Sequence, residues 1–543
     1  MHATIRRLAW LAAAGLLFTP ALVAQDHQHA TTPEKLGTVH FETSCAAAAQ
    51  PQFDRAMALL HSFEFGQAIQ GFQSTLAADP GCSIADWGIA LARWGNPFAV
   101  VVRAPAQLQQ GLDAIVLAQK TPAKTERERG YVAAASKLYV DFATIDQRTR
   151  VVAYSQAMGE LSAKYPADRE ATIFYALSLT ASAQPTDKTY ANQLKAGAIL
   201  EKLYPEQPDH PGIAHYIIHS YDVPALADQA LSAARSYAKI APSAPHALHM
   251  PSHTFTRVGA WQESIDTNIL SADAASKTGA TAEQLHAMDY MAYAYLQTGQ
   301  DRAVQALLQK LSDIANGLNV NAVNSAAPGS AGVFATAAIP VRWALEHRDW
   351  KAAAALEPKS TQFPYADAMT HYARALGAAH TGALPQARTS IDTLTQLRDR
   401  LTQAGETYWA EQVEIERLEA SAFLALAEKN SDEALSLMRA AATREDATEK
   451  SAVTPGPVAP ARELLGDMLL ELKQPAAALK EYQAVMKKEP NRFRAIYGAA
   501  SAASLAGDQA TSRTLYAQLL TICVKADTPG RPELAEARKA TSR

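Results

Sequence analysis

Residues 246–257 read "HALHMPSHTFTR", with histidines at spacings of three and four, the spacing that sets side chains on one face of a helix. Seven of the 15 histidines fall between His210 and His286. They occupy three stretches: "HPGIAHYIIHSYD" (210–222), "HALHMPSHTFTR" (246–257) and "EQLHAMDYMAYAYLQTG" (283–299). Imidazole is the commonest metal ligand, and two imidazoles four apart on a helix grip one ion from the same side. His215/His219 and His249/His253 are such pairs, with His246 and His286 as further candidate ligands. Three or four nitrogen ligands and an open position suit a transition metal such as zinc, copper or non-haem iron. Asp222 and Asp289 are candidate ligands, or acceptors that orient an imidazole. Water activated near either carboxylate would serve hydrolysis, with Arg257 holding an anionic group. Pro251 counts against this geometry, because it removes a helical hydrogen bond between His249 and His253.

The elements that carry these side chains read as helices throughout. Apolar residues recur at three and four rather than alternating, and strand signals are nearly absent. The 543 residues are 48% hydrophobic and 19% charged with a net charge of −4, the balance of a globular chain with ample core. No basic surplus exists to neutralise phosphates, which argues against nucleic acid as a partner. Neither a phosphate-binding glycine loop nor a GxSxG elbow is present. The start, "MHATIRRLAWLAAAGLLFTPALVA", has an n-region with Arg6 and Arg7, a short apolar run and a small residue at Ala24. It reads as a signal peptide, too short for a comfortable membrane span. The expected product is exported, periplasmic or extracellular, and soluble, with no transmembrane anchor. In an oxidising compartment Cys45 and Cys82 are candidates for a disulfide joining the first two hairpins; the alternative is two free buried thiols.

Internal repetition sets the fold class. "ARELLGDMLLELKQPAAALKEYQAVMKKEPN" places Gly466, Ala478, Tyr482 and Pro490 at offsets that return at Ala68, Phe72 and Pro80, with Trp87-Gly88 opening the next unit. Ala196, Leu200 and Pro208 repeat them again. This pattern resembles the tetratricopeptide repeat family, whose unit of about 34 residues is a pair of antiparallel helices. The resemblance implies an all-α, right-handed superhelical solenoid of hairpins. Small residues let the two helices approach, and stacked neighbours bury what one hairpin cannot. Trp87, Trp94, Phe72 and Tyr482 fit such a core.

The expected organisation is a signal peptide (1–24), a disordered tail (25–40), an N-terminal block (41–315), a loop or lid (316–334), a middle block (335–447), a Pro-rich linker (448–461) and terminal hairpins (462–541). The resemblance also implies that one stripe of each hairpin's first helix lines a concave groove. Counted back from the turns at Ala225, Gly259 and Gly299, the six histidines, Asp222 and Asp289 share that stripe and converge on one inner surface. Two functions follow from it. One is a scaffold that takes a peptide or protein partner in the groove; the other is a metal-dependent enzyme, a hydrolase or oxidoreductase, built on the same surface. Tyr290 and Tyr293, beside the stripe, either stack on a ligand or pack between hairpins. His61, His347, His371 and His380 stand singly and read as satisfied or exposed. If cleavage follows Ala24, Gln25-Asp26-His27 offers an amino-terminal copper motif.

Overall fold

The computed structural model describes residues 34–322 and 325–542, and among them every regular element is helical. The signal peptide and the Gln25-Asp26-His27 motif lie outside the described residues. Antiparallel hairpins follow one another from Gln50–His61 and Phe65–Ala78 to Phe493–Leu505 and Gln509–Ile522, and Pro532–Thr541 closes the array. The tetratricopeptide-like fold rests on the packing the spacing predicts. Trp87, Phe72 and Tyr482 are fully buried, and Trp94 nearly so. Tyr482 lies between Gly466 and Gly498, where a Cβ on either glycine would run into its ring.

The tail departs from expectation at its C-terminal end. Lys35 N donates to Ser243 Oγ at 2.8 Å and Thr38 N to the Asp209 carbonyl at 2.9 Å. Leu36 and Val39 are buried, so residues 35–40 pack on the array instead of trailing free. The Cys45–Cys82 disulfide is formed, with Cα atoms 4.9 Å apart, and ties the first hairpin to the second. Closing a loop of 37 residues is worth about 2–4 kcal/mol. A Cys45→Ser/Cys82→Ser protein should therefore be less stable by that free energy and unfold at a lower urea concentration; an unchanged midpoint would show the bond adds nothing.

The array also folds back on itself. Trp261 Nε1 donates to the Asn491 carbonyl at 2.8 Å, Asn491 Nδ2 to the Gly259 carbonyl at 3.2 Å, and Asp527 N to the Gly299 carbonyl at 3.0 Å. The turns at Gly259 and Gly299, both with positive φ, thus dock on the terminal hairpins. The segment expected to be a linker (448–461) runs over Tyr290 and Arg342 as a strap, up to the helix that begins at Ala461. Tyr290 Oη donates to the carbonyls of Ala452 and Thr454, each at 3.2 Å. Arg342 donates to the carbonyls of Gly456 and Pro457 at 3.1 and 3.0 Å. A Pro-rich segment suits this path, since it has few N–H groups to satisfy and its carbonyls accept from side chains. The segment expected as a lid is shorter than its 316–334 bounds, because a helix begins at Gly329. Its end is pinned: Ala327 N donates to Glu283 Oε2 at 3.0 Å and Asn96 Nδ2 to the Ala326 carbonyl at 3.0 Å.

Candidate metal centre

Three consecutive first helices bring the histidines together. His215 and His219 come from Pro211–Ser220, His246, His249 and His253 from the pair Pro245–His249 and Pro251–Arg257, and His286 from Thr281–Gln297. Pro251 does divide its helix in two, yet Met250 keeps helical angles (φ −53°, ψ −35°). The direction of the chain is preserved, so His249 and His253 still meet. All six rings are buried. They form two groups, His215/His219/His246 and His249/His253/His286, each with one nitrogen per ring within 4.8 Å of the others.

The tautomers of the central pair are fixed by their outer partners. His249 Nδ1 lies 2.7 Å from Asn268 Oδ1, whose amide nitrogen already donates to the Ser264 carbonyl at 2.7 Å. The ring must therefore donate from Nδ1. His253 Nδ1 lies 2.9 Å from Asp222 Oδ2. Burial pushes the Asp222 carboxyl up, but Lys450 and Arg257 more than offset this and hold it well below its ordinary value. It is a carboxylate, and His253 also donates from Nδ1. Both Nε2 atoms then carry lone pairs and face each other at 3.1 Å; the Tyr290 hydroxyl, which donates to the strap carbonyls, lies 3.4 Å from His253 Nε2. Two such facing acceptors repel unless a cation lies between them. Ligands at about 2.1 Å from one tetrahedral ion sit roughly 3.4 Å apart, close to what is seen.

The other group has the same facing geometry, but burial pushes the Glu283 carboxyl beside His246 up, so the His246 tautomer is not fixed as that of His253 is. His215 Nδ1 donates to the His61 carbonyl at 2.7 Å, which leaves its Nε2 bare and 3.2 Å from His246 Nε2. His246 Nδ1 is 3.1 Å from Glu283 Oε1. Each group also has a ring with a buried nitrogen that has no partner: Nε2 of His219 and Nδ1 of His286. Phe63, in the left-handed region (φ 57°) at the first hairpin's turn, sets its ring 4.4 Å from His215 and stacks on His246 and His219. A bulky residue with positive φ is strained, and here the strain places an apolar wall behind three imidazoles. Nothing in the spacing of the sequence singled out Phe63, Glu283 or Asn268.

The remaining expected site residues take other places. Arg257 spends its guanidinium on Asp222, with Nε 2.8 Å from Oδ1 and a terminal nitrogen 2.9 Å from the backbone carbonyl. It orients the carboxylate behind His253 and has no free fork for an anionic group. Asp222 is a second partner of an imidazole rather than a member of either group of nitrogens. Asp289 is fully buried and faces Arg342 Nε at 2.8 Å, away from the rings. Tyr290 packs edge-on to His249, with ring centroids 4.8 Å apart, and holds the strap. Tyr293 donates to Glu489 Oε2 at 2.9 Å and lines a neighbouring cavity with Trp261 and Trp409.

A third buried group, His61/Glu170/His210, is a contrast. His210 Nδ1 accepts from Ile213 N, so its Nε2 donates to Glu170 Oε1 at 2.8 Å. His61 Nε2 lies 2.9 Å from Glu170 Oε2 and its Nδ1 2.9 Å from the Tyr216 hydroxyl. Every nitrogen is satisfied, so this group is structural.

Burial keeps the candidate ligands unprotonated. It pushes His215, His219, His246 and His286 well below their ordinary value, lowers His253 despite Asp222, and brings His249 down to about 3. Protons then compete weakly for the nitrogens. Metal affinity should therefore fall far less as the pH drops below about 6.5 than it would at exposed imidazoles. Three exposed imidazoles would lose about a thousandfold per pH unit below 6.5. A competition titration on both sides of this pH checks it, and a steep fall starting at pH 6.5 would contradict it.

No helix among the described residues is long and apolar enough to cross a membrane. No family model and no curated protein matches the chain. Solved structures similar to it include the human IFIT1 dimer with m7Gppp-AAAA, at 12% identity and TM-score 0.36, covering 82% of this chain and 90% of that one. A monomeric IFIT1 mutant with Gppp-AAAA gives 12% and 0.36, with 88% and 98% covered. A likeness of this size carries no argument about what the chain binds.

Proposed function

We propose that the protein is an exported metalloprotein whose groove imidazoles hold a transition metal, and that this metal forms the centre of an oxidoreductase-type enzyme. One observation carries the reading: the Nε2 lone pairs of His249 and His253 face each other at 3.1 Å, with both Nδ1 atoms already spent on outer acceptors. An all-imidazole set suits copper, zinc or iron and not magnesium or calcium, which take oxygen ligands. A scaffold for a peptide is the second reading. It is less favoured at this surface because residues 450–457 already occupy the place a peptide would take.

Two features support catalysis over storage. A cavity of about 40 Å³ touching His219, His246, His253 and His286 is walled by Phe98, Val100, Ala327, Tyr365, Trp409 and Val453, room for a molecule of only a few atoms. A second cleft reaches His219 and Asp222 from the side of Tyr190, Gln193 and Lys450, which gives an entry route. Redox chemistry is preferred to hydrolysis because the carboxyls beside the rings are engaged: Asp222 with His253 and Arg257, Glu283 with His246 and Ala327, and Glu64 with the backbone N–H of His246. A hydrolase would need one of them free as a base. The Cys45–Cys82 bond suits the oxidising compartment that a signal peptide implies. The test is elemental analysis of tag-free protein purified after growth with zinc, copper and iron. Stoichiometric metal that resists gel filtration is expected; its absence, even after loading the purified chain, would overturn the proposal.

A further inference from the structure

We propose that the two histidine groups are one dinuclear centre, holding two transition-metal ions side by side, and not one site with spare histidines or two unrelated sites. This rests on the reading that the imidazoles hold metal. The two groups are the same motif, one repeat apart. His249 and His253 follow His215 and His219 at the family period of about 34 residues, His286 follows His246 by 40, and each i,i+4 pair is joined by one histidine from the first helix of the next hairpin. Each group contains one pair of facing Nε2 atoms, at 3.2 and 3.1 Å. Each also contains one ring with a buried nitrogen left without a partner, in His219 and His286.

The groups touch along their length. The His246 ring is 5.9 Å from the His249 ring, and the His219 ring is 5.9 Å from the His253 ring, centroid to centroid. Two ring pairs at this distance set the groups side by side, because every first helix in a stacked array repeats the position of the last. One cavity reaches both groups, touching His219 and His246 of one and His253 and His286 of the other. Each group has its own outer carboxylate, Glu283 behind His246 and Asp222 behind His253, so each is equipped to orient ligands for its own ion. Six imidazoles exceed what one tetrahedral ion takes up, and three per ion leaves each an open position towards the shared cavity.

The test uses the full, tag-free chain, stripped with chelator and titrated with copper(II). Copper per chain is counted by elemental analysis and unpaired spins by electron paramagnetic resonance. Two coppers per chain are expected, with an integrated signal well below two spins because the neighbouring ions couple. His219→Ala and His286→Ala each remove a ring whose free nitrogen makes no hydrogen bond. Each variant should bind one copper per chain and give one full spin. One copper in the unaltered protein would overturn the pairing while leaving the metal reading intact. Two coppers with two full spins would likewise overturn it, as separate sites. No copper would remove the metal reading itself.

Discussion

A His249→Ala/His253→Ala protein should lose metal from its group by more than a hundredfold in affinity while keeping its helical content. The magnitude is a lower bound, because altering only an outer partner of a metal-bound imidazole costs about 10–100-fold, and here the ligands themselves go. Helical content should hold because the two rings bond outward to Asn268, Asp222 and, at 3.4–3.5 Å, the Tyr290 hydroxyl, and none of these bonds carries the stacking of hairpins. Competition with a chromophoric chelator measures the affinity and circular dichroism the helix. Native-like affinity in the folded variant would reject both residues as ligands. The alternative, that the facing imidazoles share a proton, predicts only a change in stability.

The second large effect concerns the strap. Replacing Arg342 with methionine should destabilise the protein by about 3–5 kcal/mol, since it leaves Asp289 buried without its counter-ion. Both side chains are almost wholly buried, and the guanidinium joins Asp289 to the carbonyls of Gly456 and Pro457 and to Thr454 Oγ1. The same substitution should loosen residues 450–458 and speed amide exchange there and around Tyr290. An Arg342→Met/Asp289→Asn protein should recover much of the loss, because no unpaired charge remains. Urea unfolding of the three proteins decides it. If the single and double variants are equally unstable, packing and not the ion pair holds the strap.

The local part of this architecture was readable from sequence and the long-range part was not. Ala68, Phe72 and Pro80 announce a hairpin because helix crossing and termination are problems solved within one repeat. The histidine stripe was readable for the same reason: offsets from a turn fix which way a side chain points. What meets that side chain depends on residues far along the chain. Asp289 was expected to join the histidines on the stripe, yet Arg342 claims it. Arg257 has the right neighbourhood for an anion, and Asp222 takes it. The strap was invisible for a related reason. A Pro-rich segment lacks periodicity, and its anchors, Tyr290 and Arg342, lie more than a hundred residues earlier. The partners that fix the tautomers, Asn268, Glu283 and the His61 carbonyl, carry no motif at all.

Anomalous diffraction from metal-loaded crystals, recorded on both sides of the metal's absorption edge, tests the centre most directly. The expected result is a peak that vanishes below the edge and lies about 2.0–2.2 Å from Nε2 of both His249 and His253. A map without anomalous density there, with the two rings still facing each other across a water or a shared proton, would contradict it.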